Sequence, residues 1–223
     1  MKTVAIIVAG GQGKRMGRPK QFLKIAGKPM LAWTVDAFQR VKAVDGIILV
    51  VTPDQQALAA KIKSPKILAI VPGGRQRQDS VRNGLAALPK GVQVVLIHDG
   101  ARPAVTAETI NGTIRAARQH GAAIAAVPLK DTIKQVARRE ARVVKTLDRS
   151  ELWAAQTPQT FTTPVIKKAY EQLIHDVTDD AAAVERLGIP VQIVMGSSAN
   201  LKVTTPEDLS IMAAILKGRK QGT

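Results

Sequence analysis

A glycine-rich turn with clustered cations follows the first apolar run of this 223-residue chain, in Ala9-Gly-Gly-Gln-Gly-Lys-Arg-Met-Gly-Arg-Pro-Lys-Gln-Phe22. Glycines at 10, 11 and 13 let backbone N–H groups approach a phosphate with no Cβ in the way. Arg15 and Lys20 follow at a spacing that can place both cations around one triphosphate. Two familiar phosphate loops are excluded. The pattern G-x-x-x-x-G-K-[ST] fails because Arg15, not Ser or Thr, follows Lys14. Gly11 and Gly13 match the first two positions of G-x-G-x-x-G, but the third falls on Met16. A plain glycine-rich turn between strand and helix would explain the glycines and leave the cations unexplained.

The elements that must position this loop read as strands alternating with helices. Thr3 to Ala9 is a short apolar run of the kind a buried strand shows. Pro29 opens a helical pattern with Leu31, Val35 and Phe38 on one face. Strands are expected at Gly46–Thr52, Lys66–Pro72, Val92–Asp99, Ala122–Pro128 and Pro190–Met195. Helices are expected at Pro53–Ile62, after Asp79 as a cap, at about Thr106–His120, Thr163–His175, Asp179–Leu187 and Pro206–Lys217. The segment 131–148 breaks the rhythm. It is polar, with β-branched pieces on each side of a charged turn, and reads as a projecting β-hairpin. The alternation predicts an α/β fold: a doubly wound, mostly parallel, Rossmann-like sheet with helices on both faces, carrying a hairpin arm, in one domain over 1–223. Such sheets bind ligands at the carboxyl ends of their strands.

Composition narrows the classes. Hydrophobic residues make up 45% and charged residues 22%, an ordinary globular balance. The absence of cysteine removes disulfides and thiolate zinc sites. The apolar run from Val4 is too short for a signal segment, and no stretch approaches a membrane span, so a cytoplasmic protein with no membrane partner is expected. The net charge of +16 fits a soluble basic surface, polyanionic nucleotide substrates or nucleic acid. Nucleic acid is disfavoured because only 3% of residues are aromatic, too few for base stacking, and because the basic residues are scattered. A basic nucleic-acid-binding module stays as the alternative of another class, recognisable by steeply salt-dependent affinity.

The run from Gly10 to Leu23 resembles the signature loop of nucleotidyltransferases that use a sugar phosphate as acceptor. In detail the chain resembles the 2-C-methyl-D-erythritol 4-phosphate cytidylyltransferase family over essentially its whole length. Gly73-Gly-Arg-Gln-Arg-Gln-Asp-Ser-Val-Arg-Asn-Gly-Leu85 is similar to the family's base-recognition segment, and His98-Asp-Gly-Ala-Arg-Pro103 to its metal-side strand end. Asp131-Thr132, Leu147-Asp-Arg149, Ala155-Gln-Thr-Pro-Gln159, Thr178-Asp-Asp-Ala181 and Asn200-Leu-Lys-Val-Thr204 resemble its acceptor-site segments. The resemblance implies transfer of CMP from CTP to a sugar-alcohol phosphate, with Mg²⁺ or another divalent cation, in a homodimer. It implies nucleotide contacts from Ala9, Gly10, Gly11, Gly13, Arg15, Lys20, Gly73, Gly74, Ser80, Asp99, Gly100 and Ala101. It implies acceptor contacts from Arg102, Thr132, Arg149, Thr157, Thr178 and Lys202, with the arm crossing to a second subunit. A ribitol-5-phosphate cytidylyltransferase shares the fold and many motifs and is the nearest alternative. Two positions depart from the family pattern: Ala199, where many relatives carry an acid, and Gly100, where others have Ala and which is expected to be harmless.

Residue chemistry stands beside the resemblance. Asp99 ends an apolar strand, where a carboxylate must be paired or bound to metal. It is a candidate Mg²⁺ ligand or the ion-pair partner of Arg102. Ser80 can meet a cytosine edge or cap a helix, and Thr178 can meet a phosphate or cap the helix after it. His98 fits a structural role better than proton transfer. Arg149 has a fork that matches phosphate oxygens, or is a surface charge of the hairpin. Attack by an acceptor phosphate on the α-phosphorus needs no general base, because the nucleophile is already anionic. Arg15 and Lys20 are then the expected transition-state cations, and Arg149 and Lys202 the cations that align the acceptor. A catalytically dead relative is disfavoured by the presence of all four.

Overall fold

The computed structural model describes residues 2–11, 20–137 and 140–221, the last three by backbone alone. The glycine-loop residues Gly13 and Arg15 lie outside the described residues. The chain runs through β1 (Lys2–Ala9), a small hairpin of β2 (Lys24–Ile25) and β3 (Lys28–Pro29), α1 (Met30–Gln39), β4 (Gly46–Val51), α2 (Gln56–Ala59), β5 (Ile67–Pro72) and α3 (Arg77–Ala86). It continues through β6 (Val92–Asp99), α4 (Ala107–His120), β7 (Ala122–Pro128), β8 (Lys134–Ala137), β9 (Arg142–Thr146), β10 (Trp153–Thr162), α5 (Thr163–Glu171), α6 (Asp180–Glu185), β11 (Gln192–Met195) and α7 (Pro206–Gln221).

Seven strands form one sheet in the order β11-β7-β10-β6-β1-β4-β5. All pairings are parallel except those of β10, which runs antiparallel to both β6 and β7. Side chains alternate across the sheet, and the core divides accordingly. Val4 and Ile6 of β1 pack with Ile48, Val81, Leu85, Phe161 and Ile166 against α3 and α5. Ala5 and Ile7 pack with Leu31, Val35, Phe38, Ile110 and Ile114 against α1 and α4. Both faces are covered, which is why the central strands read as continuous apolar runs.

Several expectations shift in detail. The helix expected at 53–62 is a 3₁₀ turn, Pro53–Gln55, followed by the one-turn α2. Asp79 is not the cap of α3. Gln76 is, and Asp79 closes the capping box by accepting from the Gln76 N–H at 3.1 Å. Asp179, not Thr178, caps α6, accepting from the Ala182 N–H at 3.0 Å. The ten-residue β10 is absent from the sequence reading, although it sits in the middle of the sheet. The arm appears as expected: β8 and β9 form their own antiparallel pair, with Val136, Val143 and Val144 about half exposed.

Candidate active site

The parallel strands β1, β4, β5 and β6 all end at one edge, and the turns after them enclose a cavity of about 1180 Å³. Ala9, Gly10 and Gly11 line it from β1, Gly73, Gly74 and Ser80 from the turn into α3, and Asp99 and Ala101 from β6, with Lys20 and Lys202. Glycine is needed here because the backbones approach closely. A Cβ on Gly73 would lie 3.0 Å from Ser80 Oγ, and one on Gly10 3.3 Å from the same oxygen. Ser80 donates to the Gln76 carbonyl at 3.2 Å and accepts from the Gly74 N–H at 3.1 Å, so its hydroxyl ties the turn to the helix. Gln21, which the sequence reading passed over, donates through Nε2 to the carbonyls of Ala9 at 2.5 Å and Gly11 at 2.6 Å. It fixes both sides of the glycine turn. Lys20 Nζ donates to the Val203 carbonyl at 2.8 Å and so joins this loop to the segment carrying Lys202.

Gly100 lies behind the cavity and does not line it. It makes close packing possible: an added Cβ would lie 2.9 Å from the Cβ of Ala9 and 3.1 Å from Leu31. An alanine at this position would therefore require the neighbours to move. Ala199, the other departure, lines neither this cavity nor the smaller one beside it.

That smaller cavity, of about 280 Å³, is bordered by Arg102, Thr157, Thr178 and Asp179. Arg77, Asp99 and Lys202 line both cavities and form the boundary between them. Asp99 is the centre of the charge pattern. Its carboxylate meets Lys202 Nζ at 2.9 Å, Arg77 Nε at 3.3 Å and Arg102 Nε at 3.4 Å. Burial works to raise its pKa, but Arg77, Lys202 and Arg102 outweigh burial and hold it well below the usual carboxylate range. The pairing with Arg102 expected as one of two readings is present, and two further cations join it. Arg102 also donates to the Asn200 carbonyl at 2.8 Å.

His98 is structural. It is fully buried, and Nε2 lies 3.1 Å from the Arg102 carbonyl. A carbonyl can only accept, so Nε2 carries the proton and Nδ1 accepts from Thr157 Oγ1 at 3.0 Å. Burial outweighs the pull of Asp99 and lowers the His98 pKa to about 3. Thr157 Oγ1 accepts in turn from the Asp99 N–H at 3.1 Å. The Thr157 hydroxyl proton, expected for a phosphate, is therefore committed to His98.

Thr132 and Arg149 are not brought to either cavity within one chain. Arg149 is exposed at the foot of the arm, and its guanidinium donates to the Lys130 carbonyl. Arg77 and Asp180 are the residues the sequence reading missed. Asp180 is completely buried and takes a two-point ion pair from Arg77, at 3.0 and 2.7 Å. Both fall inside segments whose family resemblance is visible, but the sequence does not say which of Arg75, Arg77 and Arg82 faces inward.

A doubly wound sheet with a glycine turn, a cation-ringed carboxylate and two adjoining cavities at its carboxyl edge defines a nucleotidyltransferase-type protein. Residues 3–218 match the model of the family described as 2-C-methyl-D-erythritol 4-phosphate cytidylyltransferase. The chain belongs to that family. A family member from Syntrophus aciditrophicus (strain SB) is 47% identical over 226 aligned positions, covering 97% of this chain and 96% of that protein. One from Dehalococcoides mccartyi (strain CBDB1) is 48% identical, with 98% of each covered. Among solved structures, the 4-diphosphocytidyl-2C-methyl-D-erythritol synthase of Anaerococcus prevotii DSM 20548 superposes with a TM-score of 0.86 at 34% identity, covering 97% of this chain and 96% of that one.

Proposed function

We propose that this chain transfers CMP from CTP to 2-C-methyl-D-erythritol 4-phosphate, giving 4-diphosphocytidyl-2-C-methyl-D-erythritol and pyrophosphate in isoprenoid precursor synthesis. The observation that carries the reading is the pair of cavities sharing a wall of Arg77, Asp99 and Lys202, in a chain of this family. The larger cavity has room for a nucleoside triphosphate. The smaller has cations for a phosphate monoester.

An oxygen of the acceptor phosphate attacks the α-phosphorus of CTP. A new P–O bond forms, the bond to the bridging oxygen of the β-phosphate breaks, and pyrophosphate leaves with that electron pair. Two anions must meet, so the enzyme's work is alignment and charge compensation. Lys20 and Arg15 neutralise charge on the triphosphate, and Lys202 and Arg102 draw the acceptor phosphate to the shared wall. No general base is required. His98 is unsuited to that task, being neutral with both ring nitrogens engaged.

The expected metal ligand, Asp99, lines the larger cavity, and a divalent cation there would have to displace one of the ion pairs that Arg77, Arg102 and Lys202 make with its carboxylate. Among the described residues no group of three His, Cys, Asp or Glu could hold a metal by protein ligands alone. Mg²⁺ suits a site with one carboxylate, completing its shell with phosphate oxygens and water. When bound with CTP it would supply positive charge at the phosphate chain, with Asp99 as the protein ligand. No helix among the described residues is long and apolar enough to cross a membrane, and the cysteine-free composition suits a cytoplasmic enzyme.

The arm is read as a dimer element. A lone two-stranded hairpin is marginal in water, and its three half-exposed valines need a surface to cover them. A second copy is the commonest solution, and it would carry Thr132 and Arg149 to the acceptor cavity of its partner. The test of the reaction is pyrophosphate release from CTP on addition of each acceptor. Release with 2-C-methyl-D-erythritol 4-phosphate and not with ribitol 5-phosphate is expected. The reverse preference, or release with neither, would refute the assignment.

A further inference from the structure

Arg77 stands on the boundary of both cavities, and its surroundings suggest more than a structural role. Its two-point pair with Asp180 and its contact with Asp99 use three of its five N–H groups. The other two, one on Nη1 and one on Nη2, face opposite flanks of the guanidinium and have no partner among the described residues. Its side chain is 27% exposed, whereas Asp180 is wholly covered. Asp180 is itself held on several sides: it accepts from the Tyr170 hydroxyl at 2.5 Å, and its backbone N–H donates to Gln159 Oε1 at 2.9 Å. A carboxylate that is buried, paired and fixed from the backbone is a rigid anchor. The guanidinium it holds is the partly open end of the assembly.

The same anchor joins two loops. Gln76 and Gln78, beside Arg77, donate to the two carboxylate oxygens of Asp176 at 3.0 and 2.9 Å, and the Val177 N–H donates to Gln78 Oε1 at 3.2 Å. The segment 176–180, which borders the smaller cavity, is thereby stapled to the start of α3, which borders the larger one.

We propose that Arg77 binds the acceptor phosphate through one of its remaining Nη–H groups, and that Asp180 is the positioning residue that aims it. The inference rests on the functional reading above. A guanidinium presents donors in a fixed plane, so a two-point anchor on one side sets where the others face. Arg77 then completes, with Lys202 and Arg102, a three-cation cradle. Asp180 offsets the charge of Arg77 so that it stays in place when the acceptor is absent.

The test separates this role from stability. A buried ion pair can often be replaced by apolar residues of similar size without loss of fold. In the double variant Arg77→Met/Asp180→Leu the buried Tyr170 hydroxyl loses its acceptor, so the unfolding midpoint should fall somewhat, while the protein should still fold and bind CTP. The acceptor kcat/KM should fall about 10²-fold, as for loss of an aligned charge donor. Asp180→Asn alone should raise the acceptor KM several-fold with the CTP KM unchanged, and Arg77→Lys should retain part of the activity. Those two variants carry the test if the double variant does not fold. A folded double variant with a wild-type acceptor kcat/KM would overturn the proposal. So would a loss confined to CTP affinity. Calorimetric titration with inorganic phosphate, weaker in the variants than in the wild type, gives a readout independent of turnover. If the wild type turns over no acceptor at all, the functional reading fails, while the phosphate titration still judges Arg77.

Discussion

The two sides of the boundary wall are built differently. On the nucleotide side, turns from four neighbouring parallel strands converge within one chain, and Ala9, Gly10, Gly11, Gly73, Gly74, Ser80, Asp99 and Ala101 meet around one cavity. On the acceptor side, Arg102, Thr157, Thr178 and Lys202 are gathered, whereas Thr132 and Arg149 remain outside. Adjacent parallel strand ends can form a pocket by themselves, and the described residues of the first half all come from one chain. The second half hangs on one antiparallel strand and an arm, and by our reading is completed by another copy. Variants on the two sides should therefore behave differently.

The largest effect is expected from the nucleotide side. Lys20→Ala, and likewise Arg15→Ala, should lower kcat by about 10²-fold or more, as expected for loss of a preorganised charge. Circular dichroism and the unfolding midpoint should change little for Arg15→Ala. Lys20 also bonds the Val203 carbonyl, so a small loss of stability is expected there. Turnover near wild type in both variants would remove them from the chemistry.

Asp99→Asn comes next. It takes the anion from among Arg77, Arg102 and Lys202. The Mg²⁺ concentration for half-maximal rate should rise about tenfold or more, as for a ligand lost from a site with few protein donors, and should rise more than the acceptor KM. Activity should vanish in excess EDTA and return with Mg²⁺. Full activity in EDTA would contradict the metal assignment. Arg149→Ala should be narrower still, raising the acceptor KM and cutting kcat while CTP affinity stays within about twofold, since the arm lies outside the nucleotide cavity.

The smallest effect concerns the wall's support. The folded pKa of His98 is about 3, below its ordinary 6.5, so the folded protein binds fewer protons between those values than the unfolded chain. Stability must then rise with pH across that window and fall on acidification, by up to ~1.4 kcal/mol per pH unit from this group. Asp99, also depressed, adds to the loss only at lower pH, below its ordinary value of 3.8. Urea unfolding from pH 7 to 4.5 should show the slope, and His98→Asn should flatten it. An unchanged slope in that variant would assign it elsewhere.

The same contrast governs how much could be read from sequence. The nucleotide half was legible because apolar strands ending in glycine carry a local signature. The arm was legible from its polar, β-branched pattern. β10 was not. Its residues Gln156, Thr157, Pro158 and Gln159 are assigned to no strand or helix in the sequence reading, and they fall where the register between β10 and β7 shifts. Their side chains are satisfied by distant partners: Gln156 donates to the Ser197 carbonyl, Thr157 pairs with His98, and Gln159 donates to Asp179. Polarity that long-range contacts satisfy leaves no local trace. Arg77 and Asp180 escaped for a like reason, since their pairing spans 103 positions. The cap of α6 falls one residue on, at Asp179, because neighbouring Thr and Asp are equally able to cap, and that of α3 falls three residues earlier, at Gln76, with Asp79 in the capping box.

The claim that one half of the site is self-contained and the other shared is tested most directly by mixing two impaired chains. Arg149→Ala lacks the arm cation and Lys20→Ala lacks the loop cation. In a mixed dimer, one of the two sites would combine a native loop from one chain with a native arm from the other. Subunit exchange would be verified by mass-tagged chains, and acceptor-dependent pyrophosphate release measured. Activity is expected to recover in step with the fraction of mixed dimer. Verified mixed dimers without recovery would place Arg149 in its own chain's site, or in none, and the shared acceptor site would be wrong.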